Sequence, residues 1–223
     1  MRVCLALLLL APTSQEAGDV RGRVALAPGA KPKKRVKVNY KGPGMSAHKP
    51  PSPAPFVVWL EGPPSAKAEG KTAEMLQEGL EFRPKVLAVQ AGTVVRFPNA
   101  DDIQHNVLSY STAKTFDLGR YSKGESREAV FDRPGVVDLG CEVHPHMSGY
   151  IVVVDHPHFA LAKEDGSFAI PKVPPGAYTL VAWKEGFEPA RRPIEVGAAG
   201  ATLDVQIARA DEAEAVGSGC CAR

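Results

Sequence analysis

The sequence is poor in cysteine and in net charge. Four of its 223 residues are cysteine. Cys4 lies near the N-terminus and Cys220 and Cys221 near the C-terminus, so Cys141 stands alone in the body of the chain. A single internal cysteine excludes a disulfide framework there. The 27 basic and 25 acidic side chains leave a formal net charge of +2, which argues against bulk nucleic-acid binding.

Long hydrophobic runs are also scarce. The run from Val3 to Ala11 follows a basic residue and is too short to span a bilayer. This length is typical of the core of a secretory signal peptide, so we predict a signal peptide over residues 1–17 and a periplasmic or secreted protein. No other segment approaches transmembrane length, and we predict no membrane span in the mature protein. A buried first strand and an uncleaved anchor are the alternatives for the leader.

The apolar runs that remain are short. Aromatic residues make up 7% of the chain, and 21 glycines and 20 prolines interrupt these runs. This pattern favours an all-β protein over a helical bundle. The runs predict strands over residues 18–28, 56–60, 86–90, 93–97, 106–109, 115–118, 126–131, 135–141 and 149–154, which is enough for a Greek-key sandwich.

The strand pattern restarts at His156. Asp165-Gly166 is a tight-turn signal, and short strands are predicted over 167–170, 177–183, 193–196 and 202–208. We therefore predict one domain over residues 18–155, a second small β domain over 156–208, and a disordered tail over 209–223. With this boundary, a chain that ends near Asp155 is expected to keep the first domain folded, with a lower melting temperature because apolar surface is exposed.

Cysteine, histidine and methionine meet at one tight spacing in Cys141-x-x-His144-x-x-Met147, and His105 opens an earlier strand. One thiolate, two imidazoles and one thioether are the ligand set of a copper electron-transfer site. Cys141 falls at the end of a predicted strand, so a short turn brings His144 and Met147 back to the same point. The sequence therefore predicts one copper ion bound by these four residues.

Each ligand has a plainer explanation when taken alone. A lone cysteine is usually an inert buried side chain, and a lone methionine usually fills a core. His146 offers a second imidazole beside His144. The spacing from Cys141 favours His144 as the ligand, and we assign His146 to a solvent-facing position.

At these residues the sequence resembles the cupredoxins, the blue copper proteins related to plastocyanin and amicyanin. The resemblance rests on Phe97-Pro98-Asn99 with Asp101, on His105-Asn106-Val107 and on the Cys141 motif. It implies a Greek-key cupredoxin sandwich over 18–155 and a type 1 site. The copper ligands that it implies are His105, Cys141, His144 and Met147, with Asn106 tying the two ligand loops together. The sequence departs from the family at Gly140, where many relatives carry an aromatic residue, and in its Lys- and Pro-rich N-terminal insertion.

Residues 156–208 resemble the carboxypeptidase-regulatory-like, or prealbumin-like, β-sandwich. The similarity rests on Asp165-Gly166-Ser167-Phe168 and on the run from Val173 to Leu180. Such modules are usually appended to another domain and carry no chemistry, and we find no catalytic residues in this one.

The function predicted from these features is an exported blue copper protein that carries single electrons and is not an enzyme. The sequence has no HExxH, GxSxG or P-loop motif. The basic run from Lys31 to Lys41 predicts either a solvated loop or a docking patch for an acidic redox partner protein. The alternative function is a noncatalytic copper-binding or adhesion module of the cell envelope.

Overall fold

The computed structural model describes residues 17–32, 54–63 and 68–208. Nearly all of the predicted signal peptide, most of the basic run and the predicted tail lie outside these ranges. Among the described residues there is no helix of the length and hydropathy that a membrane span requires. The described residues form 18 β-strands: β1 (Gly18–Leu26), β2 (Val57–Glu61), β3 (Thr72–Glu74), β4 (Leu76–Gln77), β5 (Phe82–Arg83), β6 (Val86–Gln90), β7 (Thr93–Pro98), β8 (His105–Ser111), β9 (Lys114–Tyr121), β10 (Ser126–Phe131), β11 (Gly135–Gly140), β12 (Ser148–Val154), β13 (Phe159–Leu161), β14 (Ser167–Val173), β15 (Gly176–Trp183), β16 (Ala190–Val196), β17 (Ala201–Thr202) and β18 (Val205–Ile207).

The first sandwich comprises β3 to β12. One sheet has the strand order β6-β12-β11-β8-β9 and the other the order β10-β7-β3, with the β4–β5 hairpin beside them. Along β7, for example, buried side chains alternate with more exposed ones. One face of each sheet packs against the other sheet and forms the core. The prediction of an all-β Greek-key sandwich is confirmed. Its fully buried core includes Met75, Phe82, Val95, Phe97, Val107, Phe131, Val137, Leu139 and Ile151.

The second sandwich comprises β13 to β18 together with β1 and β2. β1 pairs antiparallel with β14 and parallel with β17 and β18. β2 pairs antiparallel with β13 and β15. The prediction that β1 and β2 belong to the same sandwich as the ligand motif was therefore wrong. The alternation of β1 and the continuous apolar run of β2 mark them as strands, but their partners lie a hundred or more residues further along the chain.

A third apolar cluster joins the two sandwiches. Successive residues of β12 point to opposite faces, so Ile151 and Val153 enter the first core while Val152 and Val154 face the second sandwich. The side chains of β2 also point alternately to two sides, and those of Val58 and Leu60 lie in the core of the second sandwich. The cluster between the sandwiches consists of Ala54, Val57, Trp59, Val86, Tyr150, Val152, Val154, Val181 and Trp183.

Gly22→Ala tests the placement of β1. A Cβ at Gly22 would lie 2.0 Å from the carbonyl oxygen of Leu203, so the second sandwich has no room for it. We expect the substitution to lower the free energy of unfolding by about 1–3 kcal/mol, measured by urea denaturation. Gly197→Ala is the matched control, because a Cβ there meets nothing within 4 Å. Equal stability of the two variants would contradict the pairing of β1 with the second sandwich.

Candidate metal centre

Three strand ends meet at one edge of the first sandwich. Gly140, the last residue of β11, pairs with Leu108 of β8 and with Ser148 of β12, so β11 lies between the other two strands. His105 begins β8, and Cys141 directly follows β11. The loop 141–147 returns to β12 through a turn in which the Met147 N–H donates to the His144 carbonyl over 2.8 Å. Sheet pairing thus brings residues from distant parts of the sequence to the same place.

The side chains of His105, Cys141 and His144 converge there. The two Nδ1 atoms are 3.0 Å apart, and Cys141 Sγ lies 3.8 Å from Nδ1 of His105 and 4.0 Å from Nδ1 of His144. All three donor atoms lie within 4.8 Å of one another. His105 and Cys141 are buried and His144 is half-buried. Met147 is buried in the same core cluster as Cys141.

The surroundings favour the thiolate form of Cys141. Burial raises the pKa of its thiol, but a hydrogen bond with His105 and three backbone N–H groups outweigh this effect, so the net pKa is lowered. A thiolate is the form that binds metal. The three backbone N–H groups that lower the pKa of Cys141 belong to Asn106, Val143 and His144.

The two imidazoles respond differently to the same pocket. Burial lowers the pKa of His105, but its bonds to Cys141 and Asp101 outweigh burial and the net pKa is raised. Burial and the neighbouring charges of His105 and His146 lower the pKa of His144. His144 therefore offers a neutral imidazole to a metal more readily than an exposed histidine does.

Asp101 and Asn106 form hydrogen bonds around the candidate ligand residues. The Asp101 carboxylate lies 2.9 Å from Nε2 of His105. Burial raises the pKa of Asp101. Hydrogen bonds from the Leu80 and Gly79 N–H groups and from His105 lower it by more, so the net pKa is lowered. The Asn106 side-chain oxygen accepts the N–H of Glu142 over 2.8 Å, which joins the start of β8 to the loop after β11.

The donor set fits copper. A buried thiolate and two imidazoles suit a soft metal and hold both of its common oxidation states. Residues 69–154 match the family model "Copper binding proteins, plastocyanin/azurin family". This part of the chain is a cupredoxin domain. It is also 28% identical over 93 residues to amicyanin-alpha of Methylorubrum extorquens, a match that covers 40% of this chain and 74% of that protein.

Solved structures similar to the cupredoxin domain come from several sources. A purple cupredoxin from Nitrosopumilus maritimus is 26% identical, with 37% of this chain and 99% of that chain covered and a TM-score of 0.35. A copper-containing nitrite reductase from Thermus scotoductus is 28% identical, with 42% and 25% covered and a TM-score of 0.37. A reduced amicyanin variant is 22% identical, with 44% and 98% covered and a TM-score of 0.36.

Residues 158–205, outside the cupredoxin domain, match the family model "Polysaccharide lyase family 4, domain II". This match falls on the second sandwich, which also contains β1 and β2. The expected likeness to a carboxypeptidase-regulatory-like, prealbumin-like module stays a prediction.

The remaining histidines of the cupredoxin loop and its neighbourhood lie apart from the three donor atoms. His146 is exposed, with its ring centre 6.0 Å from that of His144. His156 and His158 stack on each other after β12. Asp101 was part of the motif that resembles the cupredoxins, but no role was predicted for it. The available signal was a carboxylate four residues before the first histidine.

Proposed function

We propose that the protein is an exported, noncatalytic carrier of single electrons, with one copper ion in a type 1 site. His105, Cys141, His144 and Met147 would hold the ion. The observation that carries this proposal is the convergence of two Nδ1 atoms and one thiolate sulfur at a buried edge of a cupredoxin domain. Copper, when bound, supplies the one-electron couple.

The chain contributes a rigid and dry setting for that couple. His105, Cys141 and Met147 are each at most 4% exposed, so water is kept from them. Three of the four proposed ligand atoms, those of His105, Cys141 and His144, already lie within 4.8 Å of one another, which limits rearrangement when the charge at the site changes. His144 is the proposed ligand nearest to solvent and offers the shortest route for an electron to a partner.

A redox partner is part of this proposal. Charges near the ligand loops are paired, with Arg120 and Glu142 3.5 Å apart and Lys123 and Asp102 2.7 Å apart. These pairs offer little net charge to a partner. Docking of an acidic partner on the basic run stays a prediction, since that run, apart from Lys31 and Pro32, lies outside the described residues.

A copper titration tests the proposal. We expect Cu(II) to bind with one ion per chain and to give an intense visible thiolate-to-copper band with the electron paramagnetic resonance spectrum of a type 1 site. Ascorbate should bleach the band and ferricyanide should restore it. One tightly bound copper without colour, or colour that cannot be reversibly bleached, would reject the electron carrier and favour a copper-binding module without redox function.

Two neighbouring histidines provide a matched pair of variants. We expect His144→Ala to remove the blue band, because it deletes one of the three converging donors. His146→Ala should keep the band, because that side chain is exposed and is not one of the three converging donors. Visible spectra of both variants after copper loading decide the matter. The reverse pattern would reassign the ligand to His146.

A further inference from the structure

Asp101 contacts His105, the more deeply buried of the two proposed histidine ligands. Its side chain is 16% exposed and His105 is 0% exposed. The Asp101 Oδ2 atom lies 2.9 Å from Nε2 of His105, on the side of the ring opposite the thiolate. The carboxylate therefore reaches the imidazole nitrogen that does not face the other donors.

The carboxylate is itself fixed by the tip of the β4–β5 hairpin. The N–H of Gly79 donates to Oδ1 over 2.7 Å, and the N–H of Leu80 donates to Oδ2 over 3.0 Å. Gly79 and Leu80 have φ values of 66° and 62°, and the left-handed conformation is uncommon for leucine. This backbone turns both N–H groups toward the same side chain. From the other side, the Asp101 N–H donates to Asn99 over 2.9 Å.

This arrangement leaves one choice for the proton on neutral His105. Backbone N–H groups only donate, so the Asp101 oxygens act as acceptors toward the hairpin. An acceptor at 2.9 Å from Nε2 requires the hydrogen on Nε2, and a neutral imidazole then has its lone pair on Nδ1. Nδ1 is the atom that lies 3.0 Å from His144 Nδ1 and 3.8 Å from Cys141 Sγ.

We propose that Asp101 is a positioning residue that holds His105 in the Nε2–H tautomer and in a fixed ring orientation, so that Nδ1 faces the metal. The inference rests on the proposed function in taking His105 as a ligand. Asp101 acts through His105 and does not touch the metal. Removal of a carboxylate that orients a ligand histidine typically weakens metal binding about 10–100-fold.

The test compares Asp101→Ala and Asp101→Asn with the wild type. Asp102→Asn is the matched control, because it removes the same charge from the next residue, whose carboxylate binds exposed Lys123 instead of His105. ¹⁵N NMR of the metal-free full-length protein, recorded above the pKa of His105, reports the tautomer. Competition with a chromophoric chelator measures Zn²⁺ affinity, since zinc probes the donors without redox change.

We expect the wild type and Asp102→Asn to show His105 as the Nε2–H tautomer with equal zinc affinity. Asp101→Ala should shift the tautomer toward Nδ1–H and weaken zinc binding about 10–100-fold. Asp101→Asn should keep the tautomer, because its amide oxygen still accepts a bond, and should fall between the two in affinity.

Wild-type tautomer and affinity in Asp101→Ala would overturn the proposal. If Asp101→Ala does not fold, an affinity of Asp101→Asn equal to that of Asp102→Asn would overturn it. Failure of the wild type to bind either zinc or copper would reject the proposed function instead. The tautomer of the metal-free protein would still decide the role of Asp101.

Discussion

Cys141→Ser is expected to abolish the visible copper band completely. The band arises from charge transfer between a thiolate and copper, and a hydroxyl is not a comparable soft donor. Cys141 Sγ is also one of the three converging donor atoms, 3.8 Å from Nδ1 of His105 and 4.0 Å from Nδ1 of His144. Absorption spectra of the copper-loaded variant and wild type measure the effect.

The control for this variant is Cys220→Ser with Cys221→Ser. These two cysteines are remote in sequence from the ligand motif, and we expect their removal to leave the band unchanged. A blue Cys141→Ser protein would show that another residue supplies the thiolate and would reject the proposed ligand set.

Ending the chain at Asp155 is expected to destroy the second sandwich. The sequence predicted that residues after 155 are not needed for the copper site, because all four proposed ligands lie between His105 and Met147. The structure shows that β1 and β2 would then lose every strand with which they pair. We expect this truncated protein to aggregate, because two apolar strands would stay unpaired. Solubility and light scattering measure the outcome.

A chain containing residues 68–155 alone is the informative comparison. It retains both sheets of the first sandwich, so we expect it to fold and to show the wild-type copper spectrum. It should be less stable, because Tyr150, Val152 and Val154 lose their contacts with the second sandwich, and each large apolar side chain exposed costs about 1.5–3 kcal/mol. A soluble 1–155 protein in which β1 and β2 are folded would contradict the strand pairing. A folded 68–155 protein without colour would show that the second sandwich shapes the site.

Local patterns predicted most of the strands but not their partners. β6 and β12 follow runs of apolar residues bounded by turn signals, and such a run is a local property of the sequence. Residues 72–83 form three short strands in a segment for which no strand was predicted. The pairing of β1 with β14 depends on contacts between distant segments, which no local pattern encodes.

The candidate site divides in the same way. The convergence of Cys141 and His144 was predictable because they share one loop, and that of His105 because its residue type completes the set. The role of Met147 as a ligand stays a prediction. The bond between Asp101 and His105 was not predictable, since it depends on a hairpin whose backbone turns at Gly79 and Leu80. A carboxylate four residues from a histidine has many other orientations in an irregular loop.

The second sandwich is interrupted by the first, and this order along the chain affects how it closes. β1 and β2 are synthesised early, yet their partners follow only after the whole cupredoxin domain. Where the chain returns, the Leu60 N–H donates to the His158 carbonyl over 3.0 Å. Folding of the cupredoxin domain therefore replaces a long flexible loop between β2 and β13 with a short one. The entropy lost on closing a loop grows with its length. The cupredoxin domain, once folded, therefore lowers the entropy cost of pairing β2 with β13 and assists assembly of the second sandwich.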